Sequence, residues 1–285
     1  AARRAVDLLR EFEPPPKIVG VTRSLLGVIY LQLDRLPEAA AQFEGILSVK
    51  PSLADRDPQF RSTLLHNLGL VRRREGRLLD ALRAYQGAAD GWVDQPATAA
   101  AVHITRFNRA RLLYQLGDVH AAERQAHTAW VGLRPPVGHP VAYLALGLRG
   151  RCRAALGQFD AALLDSERAI ADLRANGGNP RWIRALTFER LDLLIAADRL
   201  AETKRLELEL QTSNVKADRP TKRAEEATVL ARLAESRGQT ERAKTCAATA
   251  YNILRKTLAP DHPDRLRAAI QLEMVDPIGS QTAAW

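Results

Sequence analysis

One set of residues and one lone cysteine in this 285-residue chain are of types that could do chemistry. His120, Glu123 and His127 stand at i, i+3 and i+7 on one predicted helix, so their side chains could converge on a metal. Polar residues on helix surfaces produce that spacing often and no fourth ligand accompanies it, so no metal is assigned. Cys152 falls in the middle of a helical pattern with no histidine partner indicated, which argues against a nucleophile. A Gly-rich phosphate loop ending in Gly-Lys-Ser/Thr, a His-Glu-x-x-His and a Gly-x-Ser-x-Gly are all missing from the sequence. The expectation is therefore a binding protein with no catalytic residue and no cofactor.

The elements that would position any site are announced by small residues in a fixed rhythm. Gly27, Ala39 and Ile46 are followed by Gly69, Ala81 and Ala88, then by Ala110, Ala122 and Ala129. The steps return at Gly150, Ala162 and Ala169, weakly at Leu191, Thr203 and Leu210, and again at Ala231, Ala243 and Ala250. Within each set the gaps are 12 and 7 residues, and successive sets are 40 to 42 residues apart. Antiparallel helices approach closely only where facing side chains are small, so this pattern predicts a repeated helical hairpin. Stacked hairpins make an all-α solenoid, here expected as a right-handed superhelix of about six hairpins with flanking half-repeats.

Proline and glycine fix the phase independently. Pro58, Pro96, Pro140, Pro180, Pro220 and Pro263 each precede an apolar-periodic stretch, and proline suits the first helical turn. Asp57 and Asn179 are the clearest N-caps. Gly76, Gly117, Gly157 and Gly238 mark the turn inside a hairpin, where glycine takes a left-handed conformation at little cost; Asp34 and Asp198 hold the matching places. The predicted first helices are 18–33, 59–75, 97–116, 141–156, 181–197 and 221–237, with partners at 36–49, 78–92, 119–133, 159–175, 200–213 and 240–257. Arg3 to Phe12 reads as a lone amphipathic helix within a partial repeat or cap at 1–16. Residues 263–275 read as a C-terminal capping helix before a tail at 276–285. The whole chain is expected to be one solenoid domain.

Composition narrows the partner. Net charge is +9 and the pI about 10, which by itself points to a polyanion. However, 35 of the 42 basic residues are Arg, a bias that a G+C-rich genome produces, so position matters more than total. No apolar run is long enough to cross a membrane, no signal peptide precedes the first repeat, and Cys152 and Cys246 read as buried thiols. A cytoplasmic location is expected.

The spacing resembles the tetratricopeptide repeat. Leu26-Gly27, Tyr30, Ala39, Phe43 and Pro51 stand at that family's intervals, as do Leu68-Gly69, Gly76, Ala81, Tyr85 and Ala88. The period exceeds the family's usual 34 residues and is similar to the longer repeats of kinesin light chains and bacterial peptide-pheromone receptors. Leu258-Ala259-Pro260-Asp261-His262-Pro263-Asp264 is similar to the kinesin-light-chain linker. The resemblance implies a concave face built from first helices. It would carry Thr63, His66, Asn67, Leu70, Arg73 and Arg74 in repeat two, and Ile104, Phe107, Asn108, Arg111, Tyr114 and Gln115 in repeat three. Repeat four would add Leu144, Gly147, Leu148, Arg151 and Ala154.

Asn67 and Asn108 share one repeat position, and asparagine can pair with both backbone groups of an extended peptide, as the resemblance implies. His66, Asn67, Arg73, Arg74, Phe107, Asn108, Arg111, Tyr114 and Arg151 are the expected peptide-binding residues. The arginines suit an acidic peptide or a free C-terminus, and Glu189, Asp192, Glu225 and Glu235 are expected to turn the groove acidic further along. The leading expectation is a peptide- or protein-binding scaffold, the sensory or adaptor part of a larger bacterial protein. The alternatives are the sensing domain of a peptide-regulated transcription factor or of a caspase-like protease, and a nucleic-acid-binding repeat. A homodimer through an apolar end of the array also stays open.

Overall fold

The computed structural model describes residues 16–49, 54, 57–92, 99–134, 139–217 and 219–276. The lone helix expected at 3–12, Pro96 and the tail from 277 lie outside them. Among the described residues the secondary structure is helical throughout, with thirteen α-helices and no strand. The helices are α1 Pro16–Gln32, α2 Leu36–Ser48, α3 Pro58–Arg74, α4 Leu78–Gly91, α5 Ala99–Gln115 and α6 Val119–Leu133. They continue with α7 Val141–Ala155, α8 Phe159–Ala175, α9 Pro180–Ala196, α10 Thr203–Thr212, α11 Pro220–Ser236, α12 Thr240–Thr257 and α13 Pro263–Val275. Consecutive helices pair into six hairpins, and α13 follows the last.

Each hairpin turns where the sequence placed its punctuation. Gly76, Gly117, Gly157 and Gly238 have φ of 80°, 89°, 78° and 68°, and Asp34 and Asp198 have 59° and 57°. Each of these turns returns two amides to the helix it ends: Arg77 N–H donates to Arg72 O at 2.9 Å and Gly76 N–H to Arg73 O at 3.2 Å. That double closure satisfies carbonyls the helix would otherwise leave open. At the other end, Asp57 accepts from the Phe60 N–H at 3.0 Å and Asn179 from the Arg181 N–H at 2.9 Å. Pro140 occupies the N-cap of α7 rather than its first turn.

Every residue of the six small-residue sets is buried. The reason is size: a Cβ on Gly27 would lie 2.6 Å from the Phe43 ring, and one on Gly69 2.6 Å from Tyr85. Two aromatic rings of second helices thus fill the space that two glycines of first helices leave. The weak fifth set has a local cause. Its second helix opens as a 3₁₀ turn, Leu200–Glu202, before α10 begins. Thr203 stands where other hairpins have Ala, and its hydroxyl donates to Leu200 O at 2.7 Å while accepting from Arg237 at 2.6 Å. A buried hydroxyl is tolerated there because both bonds are made.

The chain divides into two compact units, residues 1–137 and 138–285. In the first, Ala39, Phe43 and Ile46 of α2 pack with Leu64 and Val71 of α3, and Ala81 and Tyr85 of α4 pack with Leu112 of α5. In the second, Leu163 of α8 packs with Leu193 and Leu194 of α9, and Phe188 and Leu191 of α9 with Leu210 and Leu233. Arginines tie helix ends together within each unit. Arg74 donates to Leu31 O at 2.5 Å, Arg184 to Leu210 O at 3.1 Å and Arg265 to Leu258 O at 3.2 Å. All three carbonyls lie at helix C-termini, where positive charge meets the negative end of the helix dipole.

Candidate functional site

The expected binding residues of the first unit lie on α3 and α5. His66 projects from α3 toward α5, its Nδ1 2.8 Å from Thr105 Oγ1. That hydroxyl already donates to Ala101 O at 2.8 Å, so the imidazole is the donor and carries its proton on Nδ1. Burial lowers the His66 pKa from 6.5 to about 4, so the ring is neutral near pH 7. Its ring lies 5.6 Å from that of Tyr85 on α4.

Tyr85 is the centre of this cluster. It is fully buried, and its hydroxyl finds no acceptor, only the guanidinium of Arg73, itself a donor. Burial pushes its pKa up to about 12, against the opposing pull of the Arg73, Arg111 and Arg74 guanidinium charges. Three cations therefore stand around one phenol. The Nε of Arg73 is likewise buried without an acceptor. Arg74 commits one nitrogen to Leu31 O and lies 3.4 Å from Asp34. Arg111 lies over the Phe107 ring, 5.7 Å from its centroid.

The two matched asparagines differ in access. Asn67 is half-buried, whereas Asn108 is 6% exposed and Phe107 7%. Tyr114 is half-buried. Arg151 belongs to the second unit, 3.8 Å from Glu189. There the repeat-four face is largely closed: Leu148, at the asparagine register, is 4% exposed, and a Cβ on Gly147 would meet Leu186 at 2.6 Å. The acidic residues expected along this face are mostly matched by cations. Glu189 pairs with Arg151, Asp192 with Arg232 and Glu225 with Lys222, while Glu235 is exposed.

Sequence reasoning missed one charged cluster in the second unit. Asp165 of α8 accepts two bonds from Arg149 of α7, at 2.8 and 2.6 Å, and a third from Arg153 at 2.9 Å. Asp165 is 4% exposed and Arg149 7%. The signal was Gly150: its missing Cβ lets α8 approach until Ala162 O would stand 2.9 Å from that position. His120 and His127 are exposed and Glu123 half-buried, and among the described residues no three His, Cys, Asp or Glu could hold a metal. Cys152 is buried, whereas Cys246, expected to be buried as well, is only half-buried, and neither forms a disulfide. No described helix is long and apolar enough to cross a membrane. Two cavities lie in the second unit around the chain that follows α10. The larger is about 490 Å³ beside Asn179, Arg181 and Lys216, and the smaller about 160 Å³ beside Arg184 and Leu210.

Residues 227–264, from α11 into the start of α13, match the family model described as Tetratricopeptide repeat. No curated protein sequence matches significantly. Solved structures extend the likeness across the chain. NprR in complex with its cognate peptide NprX superposes with a TM-score of 0.72 at 13% identity, over 98% of this chain and 79% of that one. Aspartyl phosphate phosphatase F from Bacillus subtilis gives 0.60 at 11% identity, over 96% and 75%. The Cut9–Hcn1 hetero-tetramer of the APC/C gives 0.62 at 16% identity, over 95% of this chain but only 44% of that one. The repeated hairpins give the chain the fold of these helical-repeat structures, and one segment of it matches the tetratricopeptide repeat model. Its repeats are of the long type, offset by 40 to 42 residues.

Proposed function

We propose that the first unit binds the acidic or carboxylate end of an extended peptide, or of a segment of a partner protein, against α3 and α5. The observation that carries this reading is the Tyr85 hydroxyl, a buried donor without an acceptor amid Arg73, Arg111 and Arg74. An anion docked on those arginines would receive charge-assisted bonds and give the phenol something to donate to. Asn67, the more accessible asparagine, would then pair with the peptide backbone, with Asn108 and Phe107 supporting it from within and Tyr114 beside them. Arg151 would serve the second unit. The likeness to NprR, whose structure holds its cognate peptide, supports the choice of a peptide as ligand class. On this reading the chain is an adaptor or sensory part of a larger bacterial protein and performs no catalytic step itself.

The test compares fluorescent random peptides with free C-termini against the same pool amidated. The carboxylate pool should bind, and the paired substitutions Arg73→Gln and Arg111→Gln should weaken it by about tenfold or more, as loss of charged hydrogen bonds predicts. Circular dichroism should remain unchanged. Equal binding of the amidated pool, or indifference to the two substitutions, would overturn the reading.

A further inference from the structure

The register that carries Asn67 and Asn108 begins on α1. Val21, Leu25 and Val28 precede Thr63, Asn67 and Leu70 by 42 residues, and Ile104, Asn108 and Arg111 follow those by 41. Helix α3 packs against both α1 and α5, so the three sets form rungs across neighbouring first helices. On α3 this register is open, with Thr63 exposed and Asn67 and Leu70 half-buried. It is open on α1 as well: Val21 is 40% exposed, Leu25 61%, and Val28 is half-buried. Val28 and Leu70 pack against one cluster, that of Ala39, Phe43 and Ile46, which joins them into an apolar floor.

Polarity changes along each rung. Leu25 is followed by Asn67 and Asn108, and Val28 and Leu70 by Arg111. The α1 end therefore offers apolar surface to the groove, while the α5 end carries one of the guanidinium charges around Tyr85. Apolar surface left in water gains only when an apolar partner covers it. An extended peptide crossing the three helices would meet both ends. Neighbouring helices lie about 8–10 Å apart and an extended chain advances about 3.3 Å per residue, so about three residues lead from α3 to α1 and about six from α5.

Given carboxylate capture by Arg73 and Arg111, on which this step rests, we infer that Val21, Leu25 and Val28 form an apolar subsite of the same groove. It seats an aliphatic side chain about three to six residues before the carboxylate of the bound peptide. A second copy of the chain is a poorer occupant, because at a net charge of +9 it would bring like charge toward those arginines.

Anisotropy titrations of the full chain with two pools of random nonapeptides, all with free C-termini, test this. In one pool the residues three to six places before the C-terminus are Leu, Ile or Val; in the other they are Ser or Gly. The first should bind about tenfold more tightly, the scale of burying one aliphatic side chain. Leu25→Ser should abolish that preference and Val21→Ser reduce it, with circular dichroism unchanged. Ile18→Ser should leave it intact: Ile18 is 51% exposed, but its counterpart Phe60 packs on the α2 cluster, away from the groove. The paired Arg73→Gln and Arg111→Gln substitutions should weaken both pools and keep their ratio. Equal binding of the two pools, with amidation still abolishing capture, would overturn the subsite and spare the carboxylate reading. Failure of both pools to bind would overturn both. Sedimentation showing a dimer that Leu25→Ser dissolves would also overturn the subsite, a second copy then being the cover.

Discussion

Lowering the pH should destabilise the first unit well before its carboxylates titrate, and His66 is the reason. Folding places this imidazole between Thr105 and Tyr85 and lowers its pKa from 6.5 to about 4. Above pH 6.5 the ring is neutral in both folded and unfolded chains, so it adds no pH dependence. As pH falls below 6.5 the unfolded chain takes up a proton that the folded one refuses, and stability declines by up to about 1.4 kcal/mol per pH unit. At pH 5 the loss from this residue amounts to about 2 kcal/mol, and it levels off near pH 4 at about 3 kcal/mol. Model carboxylates titrate around 4, so the interval from pH 6.5 to 5 isolates the histidine. Urea unfolding at pH 7, 6 and 5 is the assay, with His66→Gln as the reference that cannot titrate. A wild-type stability that stays flat over this interval would rule out His66 as the titrating group, as would an equal decline in His66→Gln.

Two further substitutions probe the packing. Asp165→Asn leaves Arg149 buried without its counter-ion and should cost about 3–5 kcal/mol in urea unfolding. Replacing Arg149, Arg153 and Asp165 together by apolar residues should recover most of it; an Asn variant as stable as wild type would show the pair to be unimportant. Ala81→Leu overfills the contact with Tyr85 and Leu112 and should lower stability by roughly 1–3 kcal/mol. Leu79→Ala, two residues away but 64% exposed, should stay within about 0.5 kcal/mol, and similar losses at both sites would contradict the small-residue argument.

The hairpins were legible because their determinants are local and periodic. Gly69 must be small wherever Tyr85 crosses it, and Gly117 must turn left-handed wherever α5 ends, so both recur at fixed intervals. The binding face was less legible. Phase alone put Asn67 and Asn108 at one position, yet the first is half-buried and the second nearly closed. The difference arises from neighbours on other helices, which a period does not encode. Charge pairing was the least readable part. Arg149 meets Asp165 16 residues on, and Asp192 meets Arg232 40 residues on, with side-chain direction deciding each partner. Glu189 and Asp192, read in isolation, suggested an acidic groove, whereas each faces an arginine.

The arginines that reach Leu210 O and Leu258 O bear on how this basic chain behaves in a crowded, salty solution. A guanidinium locked onto a helix end keeps its charge but surrenders the planar fork of donors that grips a phosphate. Such residues act as mortar between bricks. Lysine, a point charge on a floppy stem, would set poorly in the same joints, so wholesale Arg-to-Lys exchange at constant net charge should loosen the stack without altering its isoelectric point much.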